Sequence, residues 1–352
     1  MAEEVAPASA SASASAFGRR PVGNRGKPPS LLVRYGSQMG IVGVGVLMWL
    51  GFVVAAPRVF TDVDIYLAFA ETTPLFGIVA LSLTFVVISG EIDMSFPSVM
   101  ALGTATFCLT TAYGGAPWWV GVIVGLLTGV ACGILNGVLV ATLNIPSMVI
   151  TIGTQFLFRG LELVLMNGTG VPLLVDKYPE MHALLREPVF GFPVQTLWMI
   201  GFLIFEWILL NRTQFGAHVF LVGDNITSAR LTGVNAGLVK IKAFVLVGVT
   251  AVFCGMLSSV YGYYFWPSTG DGSLLSTMAS VFLGGTSAFG GTGSVVGTFV
   301  AAFIIGSINA GVISAGVNAF YTQLAFGLVI VLSVVLQTLI DRRIRRQSLT
   351  GL

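Results

Sequence analysis

Charge is what this sequence has least of. Only 9% of its 352 residues are Asp, Glu, Lys or Arg, whereas 55% are hydrophobic and the mean hydropathy is +0.91. A water-soluble domain cannot hide that much apolar surface, so that class is excluded. A net charge of +2 offers no basic surface for nucleic acid. The three cysteines, Cys108, Cys132 and Cys254, stand inside apolar runs without metal-ligand or disulfide spacing, and read as small packing residues. The two histidines, His182 and His218, fall in loops. No nucleophile–histidine–carboxylate set shares one membrane depth, so the sequence holds no hydrolase or metal site.

What is present is a series of long apolar runs. They lack the short alternating segments of a transmembrane barrel, and each approaches the ~20 residues a helix needs to cross hydrocarbon. The expected fold is therefore an all-α polytopic membrane protein of about ten transmembrane helices. Before a central polar loop, spans are placed at 38–56, 65–88, 95–112, 118–143, 147–166 and 194–211. After it come 243–265, 273–289, 295–314 and 320–340, the eighth being short and glycine-rich at its end. The 44 glycines suit helices that approach closely in lipid.

Residues 1–37 form a polar head in which a Ser/Ala alternation over Ala8–Ala16 precedes Arg19, Arg20, Arg25, Lys27 and Arg34. Its composition predicts disorder. The order of its parts is the reverse of a secretory signal, where basic residues come first. Residues 38–341 make the transmembrane unit and 342–352 a basic tail with Arg342, Arg343, Arg345 and Arg346. Of 17 Lys and Arg, five lie in the head, four in the central loop and four in the tail. The positive-inside rule puts all three segments in the cytoplasm, which an even number of spans on each side of the loop allows. The polar stretch 167–193 then falls outside, as a short lid or helix.

The central loop, 212–242, organises the chain. It carries Arg212, Arg230, Lys240 and Lys242 against one acid, Asp224. Asp224-Asn225 reads as a helix start, because a short side-chain oxygen accepts the first free backbone N–H groups. Ile226–Leu231 supplies one or two turns, and Gly233 is a natural stop. On residues alone the loop is either an ordinary positive-inside loop or a surface that engages a cytoplasmic partner.

Two glycine-rich turns fall on the same side: Gly90-Glu91-Ile92-Asp93-Met94-Ser95, and Gly284-Gly285 through Gly290-Gly291. Aligned on their glycines, each is followed by a similar Ser-Val segment, from Ser98 and from Ser294, which suggests an internal duplication.

Polar residues inside the spans are candidates for a solute path. Arg159 and Glu162 lie three apart on one helix face. An unpaired charge at mid-bilayer costs roughly 2.5–3.5 kcal/mol on insertion scales, so they must pair or face water. Glu71, beside Pro74, sits near the outer end of the second span, where the proline bends the helix and frees carbonyls. Asn136, Asn144, Gln155, Asn309 and Asn318 either line a path or tie helices together. Glu206 is expected to reach toward the inner surface near Arg212. Tyr261, Tyr263, Tyr264, Phe265 and Trp266 are expected as an outer aromatic belt, with sugar stacking as the alternative.

Several of these stretches carry a resemblance. Ser89-Gly90-Glu91-Ile92-Asp93-Met94-Ser95 is similar to a Gly-Gly-Ile-Asp-Leu-Ser stretch in the permease subunits of bacterial ABC sugar importers of the ribose, xylose and arabinose type. Gly133-Ile134-Leu135-Asn136-Gly137 with Asn144 to Thr154, then Arg159-Gly160, resemble that family's next two motifs. Gly223 to Asn235 resembles its cytoplasmic coupling segment, and Gly284 to Ser294 its late glycine-rich signature. The five pieces occur in order at consistent spacing, and the resemblance covers nearly everything from about Leu67 to Asp341.

The resemblance implies a permease that is not itself an enzyme and binds no cofactor. ATP is used by a separate cytoplasmic ABC ATPase, in keeping with the missing P-loop. It further implies a second permease copy or paralogue, a periplasmic solute-binding protein, and alternating access in the bacterial inner membrane. Asp224, Asn225, Ala229, Arg230, Leu231, Gly233 and Asn235 would form the coupling segment. Two departures stand out: Glu91 replaces the usual second glycine, and Phe96-Pro97 a smaller pair. Permeases for branched-chain amino acids or nucleosides, and a passive channel, are the alternatives.

Overall fold

The computed structural model describes residues 49–51, 53, 54, 56–143, 145–314, 318 and 320–350, with the side chains of 309, 310, 313, 314 and 336–350 outside the description. The expected head, 1–37, and Asn144 lie outside the described residues, as does the side chain of Asn309. The helices, in order, are α1 (Pro57–Phe60), α2 (Val63–Thr72), α3 (Pro74–Ile88), α4 (Phe96–Cys108), α5 (Trp118–Leu143), α6 (Ser147–Met166) and α7 (Pro179–Leu185). They continue with α8 (Val194–Arg212), α9 (Gln214–Asp224), α10 (Ile226–Leu231), α11 (Ala236–Tyr261), α12 (Ser273–Leu283), α13 (Val295–Ser314) and α14 (Phe320–Thr350).

Among the described residues four helices, α5, α6, α8 and α11, are long and apolar enough to cross a membrane, and α2 with α3 makes a fifth that bends by 51°. Proline is the cause of the bend. Pro74 has no N–H to give to the carbonyl of Ala70, and Thr196 Oγ1 of α8 donates to that carbonyl instead. The shorter apolar helices Ser273–Leu283, Val295–Ile308 and Phe320–Val335 stand where three further spans were expected. The eighth expected span, 273–289, is helical for only 11 residues, because Gly285 turns the chain at φ +87°. The third ends in a π turn at Leu109–Tyr113. The last helix continues into the basic tail as far as Thr350.

The buried axis is α11, against which α3, α4 and α5 pack. Its contact with α5 depends on Gly129, Gly133 and Gly137, one helical turn apart, while Gly121 and Gly125 continue the row against α4 and the π turn after it. A Cβ on Gly129 would come within 2.4 Å of the Gly248 carbonyl oxygen, and one on Gly248 within 2.2 Å of the Gly129 oxygen. No side chain larger than hydrogen fits there, so the backbones touch directly. The faces of α5, α6 and α8 turned away from this core are apolar and exposed, with Ile123, Leu127, Phe156, Val164, Ile204 and Phe205 among them. Such faces suit lipid or another apolar partner.

The stretch 167–193 contains the short helix expected of it, α7. Val171-Pro172 also pairs antiparallel with Tyr264-Phe265. This corrects the picture of a plain aromatic belt, since Phe265 is fully buried. Arg186 lies over the Tyr263 ring at 4.0 Å and donates from Nε to the Tyr261 carbonyl at 3.2 Å.

Candidate functional site

The central segment is mostly helical, and its short helix stands where the sequence places it. Asn225 is extended and its side chain accepts from Ser228 N at 2.9 Å, capping α10. Gly233 follows at φ +85°, and Val234 N donates back to the Ala229 carbonyl at 3.0 Å, closing the helix. Asn235 in turn caps α11 through Leu238 N at 3.0 Å. Within α10, Ala229 is buried while Arg230 is exposed, and Leu231 stands 84% exposed. A six-residue helix has too little propensity to persist alone; the caps and the buried Ala229 hold it.

Both glycine-rich turns converge at the base of this helix. Gly223, the residue before Asp224, lies against the end of α3, where a Cβ would stand 1.7 Å from the Ile88 carbonyl oxygen. Gly291 N donates to that same oxygen at 2.8 Å. A Cβ on Gly290 would come within 2.9 Å of Gly90 Cα and 3.0 Å of the Gly223 oxygen. Gly90, Gly290 and Gly291 all have positive φ, between +76° and +84°, which side chains larger than hydrogen resist. Gly284 packs instead on Gly297 and Thr298, at the start of α13.

The first turn is wired into its neighbours by side chains. Asp93 is buried and accepts from Ser95 N at 2.8 Å and Ser95 Oγ at 2.7 Å. Burial raises its carboxyl to about 6, opposed by those two hydrogen bonds. Asn136 Nδ2 of α5 donates to Ser95 Oγ at 2.7 Å, and Ile92 N donates to Ser147 Oγ of α6 at 2.9 Å. Glu91 forms an ion pair with Lys240 of α11. Asn136, offered as a path residue, is thus a buried tie between helices.

In the middle of α6, Gln155 and Arg159 line a cleft of about 450 Å³ with Ser98, Phe156, Ser268 and Asp271. Arg159 pairs with Asp271 at 2.6 Å and donates to the carbonyls of Pro267 and Thr269. Glu162, one helical turn on, is fully buried and 3.9 Å from Arg159. The expected Arg159–Glu162 pair therefore exists, but it is the longer of two. Glu71 is placed apart from this cleft, where its carboxylate accepts from Tyr261 Oη at 3.1 Å. Glu206 does not reach toward Arg212. It is fully buried and accepts from Ser82 Oγ of α3, while Arg212 lies over the Trp207 ring. The reason is helical phase: Glu206 points inward at α3, six residues before the polar end of α8.

Comparison with known proteins follows the same stretches. Residues 65–334 match the family described as the permease component of the branched-chain amino acid transport system. The chain is an ABC importer permease. It is 33% identical over 261 residues to the ribose import permease protein of Bacillus subtilis (strain 168), covering 74% of this chain and 80% of that one. It is 32% identical over 322 residues to a probable ABC transporter permease protein of Escherichia coli (strain K12), covering 91% and 96%. An autoinducer 2 import system permease protein of Photorhabdus laumondii is 29% identical over 305 residues, covering 86% and 91%. No solved structure matches the chain.

In this permease the partners that sequence reading missed are Asp271, Lys240 and Ser82. Each lies more than 100 positions from the residue it meets. Asp271 had one local signal: it is an acid in a Gly-Asp-Gly turn between apolar runs.

Proposed function

We propose that this permease carries a sugar or polyol inward across the bacterial inner membrane, driven by ATP hydrolysis in a separate ABC ATPase and fed by a periplasmic solute-binding protein. The observation that carries this reading is α10. It presents an 84% exposed leucine, Leu231, beside the exposed polar residues Thr227, Ser228 and Arg230, from a base where both glycine-rich turns meet. A small, rigidly capped helix with an exposed apolar tip suits insertion into a cleft of a partner protein. Displacing it moves the ends of α3, α9 and the 284–294 segment together, because their backbones are in contact. Ten spans, with both termini and the 212–242 segment in the cytoplasm, accord with the distribution of Lys and Arg. A second permease copy would complete the path and cover apolar faces of α5 and α6.

The cleft supports a neutral, hydroxyl-rich solute over a charged one. Arg159 and Asp271 neutralise each other, which leaves the Gln155 amide and the hydroxyls of Ser98 and Ser268 as free hydrogen-bonding groups. The names of the ribose and autoinducer 2 relatives point the same way, whereas the family description names branched-chain amino acids.

The test is uptake by proteoliposomes containing the permease, its ATPase and the binding protein, using a panel of labelled pentoses, hexoses, polyols and leucine. Uptake of a sugar or polyol that requires all three components and ATP is expected. Full-rate flux through the permease alone would instead establish a passive facilitator.

A further inference from the structure

The Glu91–Lys240 ion pair joins the first glycine-rich turn to the end of the central segment. Lys240 stands on the first turns of α11, five residues after the cap at Asn235 that follows α10. Glu91 stands in the turn between α3 and α4. Both side chains are mostly buried, at 14% and 13% exposure, so the pair is shielded and its attraction is not dispersed by solvent. From Glu91 the contacts run on in two steps. Ile92 N is held by Ser147 at the start of α6, and Asp93 holds Ser95, which accepts from Asn136 of α5. Helix α6 is the helix that carries Gln155 and Arg159 into the cleft.

Among the described residues the approaches of Gly90, Gly223 and Gly290 to one another are close backbone contacts without a hydrogen bond, and the Gly291 N–Ile88 O bond ties the second turn, not the central segment, to α3. An ion pair resists separation. We propose that Glu91 and Lys240 form a strut that stays closed through the transport cycle and transmits movement of α10 and the start of α11 to α6 and the cleft. Both are positioning residues. The inference rests on the reading of α10 as the ATPase contact.

Reactivity of a single cysteine in the cleft tests it without a solute. Cys108, Cys132 and Cys254 are replaced by Ala, Gln155→Cys is introduced, and the permease–ATPase complex in nanodiscs is treated with a hydrophilic maleimide, with and without ATP and vanadate. In the parent complex, trapping nucleotide is expected to change the labelling rate at position 155 at least threefold. Glu91→Gln and Lys240→Met are expected to abolish that change while the ATPase still co-purifies. The charge-swapped pair, Glu91→Lys with Lys240→Glu, is expected to restore it. A second measurement covers variants that fold poorly: Glu91→Cys with Lys240→Cys, joined by a short bifunctional thiol reagent, retains the response if the pair is a strut.

A full response in the Gln and Met variants, or its loss on cross-linking, overturns the strut. A parent complex that neither holds the ATPase nor responds to nucleotide overturns the underlying reading instead.

Discussion

Gly223 and Ile88 touch through their backbones: a Cβ on the glycine would stand 1.7 Å from the carbonyl oxygen of Ile88, which also accepts from Gly291 N at 2.8 Å. Three segments far apart in the chain therefore meet at one carbonyl, directly beneath α10. Movement of α10 is therefore expected to carry the end of α3 and the 284–294 turn with it.

Gly223→Ala consequently forces backbone apart. Overpacking a core costs ~1–3 kcal/mol even where side chains can yield, and here the obstacles are main-chain atoms. Loss of most folded protein is expected by fluorescence-detected size-exclusion chromatography. Gly160→Ala, at an exposed position on α6 with nothing within 4 Å, is expected to leave the profile unchanged.

Asn225→Ala removes the cap of α10 and is expected to cost about 1 kcal/mol locally. Because the helix has six residues, that is enough to fray it. Gly233→Val, at φ +85°, strains its other end. Both variants are expected to reach the membrane normally and to lose most ATPase co-purification, measured by pull-down from detergent extracts.

Arg159→Lys is expected to behave nearly as Arg159→Ala in transport, with at least a tenfold loss. One guanidinium serves two carbonyls and Asp271 from a planar fork that a single ammonium does not reproduce. A double-mutant cycle with Asp271→Asn is expected to show coupling of about 0.5–1 kcal/mol in thermal stability, because the Asp271 side chain is largely exposed and water screens the pair.

Part of this arrangement is legible in the sequence. The cap at Asn225, the stop at Gly233, the bend at Pro74 and the short helix at Pro179–Leu185 all follow from local rules, since each depends on residues within one turn. The convergence of the two glycine-rich turns was visible only as a repeat, because their contact is made by backbone atoms that no residue type announces. Glu206 went the wrong way for a related reason. A carboxylate six residues from a helix end satisfies the same pattern whether it faces water or Ser82.

Asp93 makes stability depend on pH. Its carboxyl rises from 3.8 to about 6 on folding, so the native state prefers the protonated form. The contribution is fully present below about pH 4 and is lost as pH climbs through about 6, a change of roughly 3 kcal/mol. The melting temperature in detergent is expected to fall across that window. Asp93→Asn, which keeps acceptor and shape but cannot ionise, is expected to flatten the slope.

Coupling to an ATPase requires α10 to face the cytoplasm and to be covered by that subunit. The direct measurement is labelling of Leu231→Cys by a membrane-impermeant maleimide in oriented vesicles, with and without saturating ATPase subunit. Labelling in inside-out vesicles alone, suppressed by the ATPase, is the predicted result. Labelling from the periplasmic face, or labelling that the bound ATPase leaves unchanged, contradicts it.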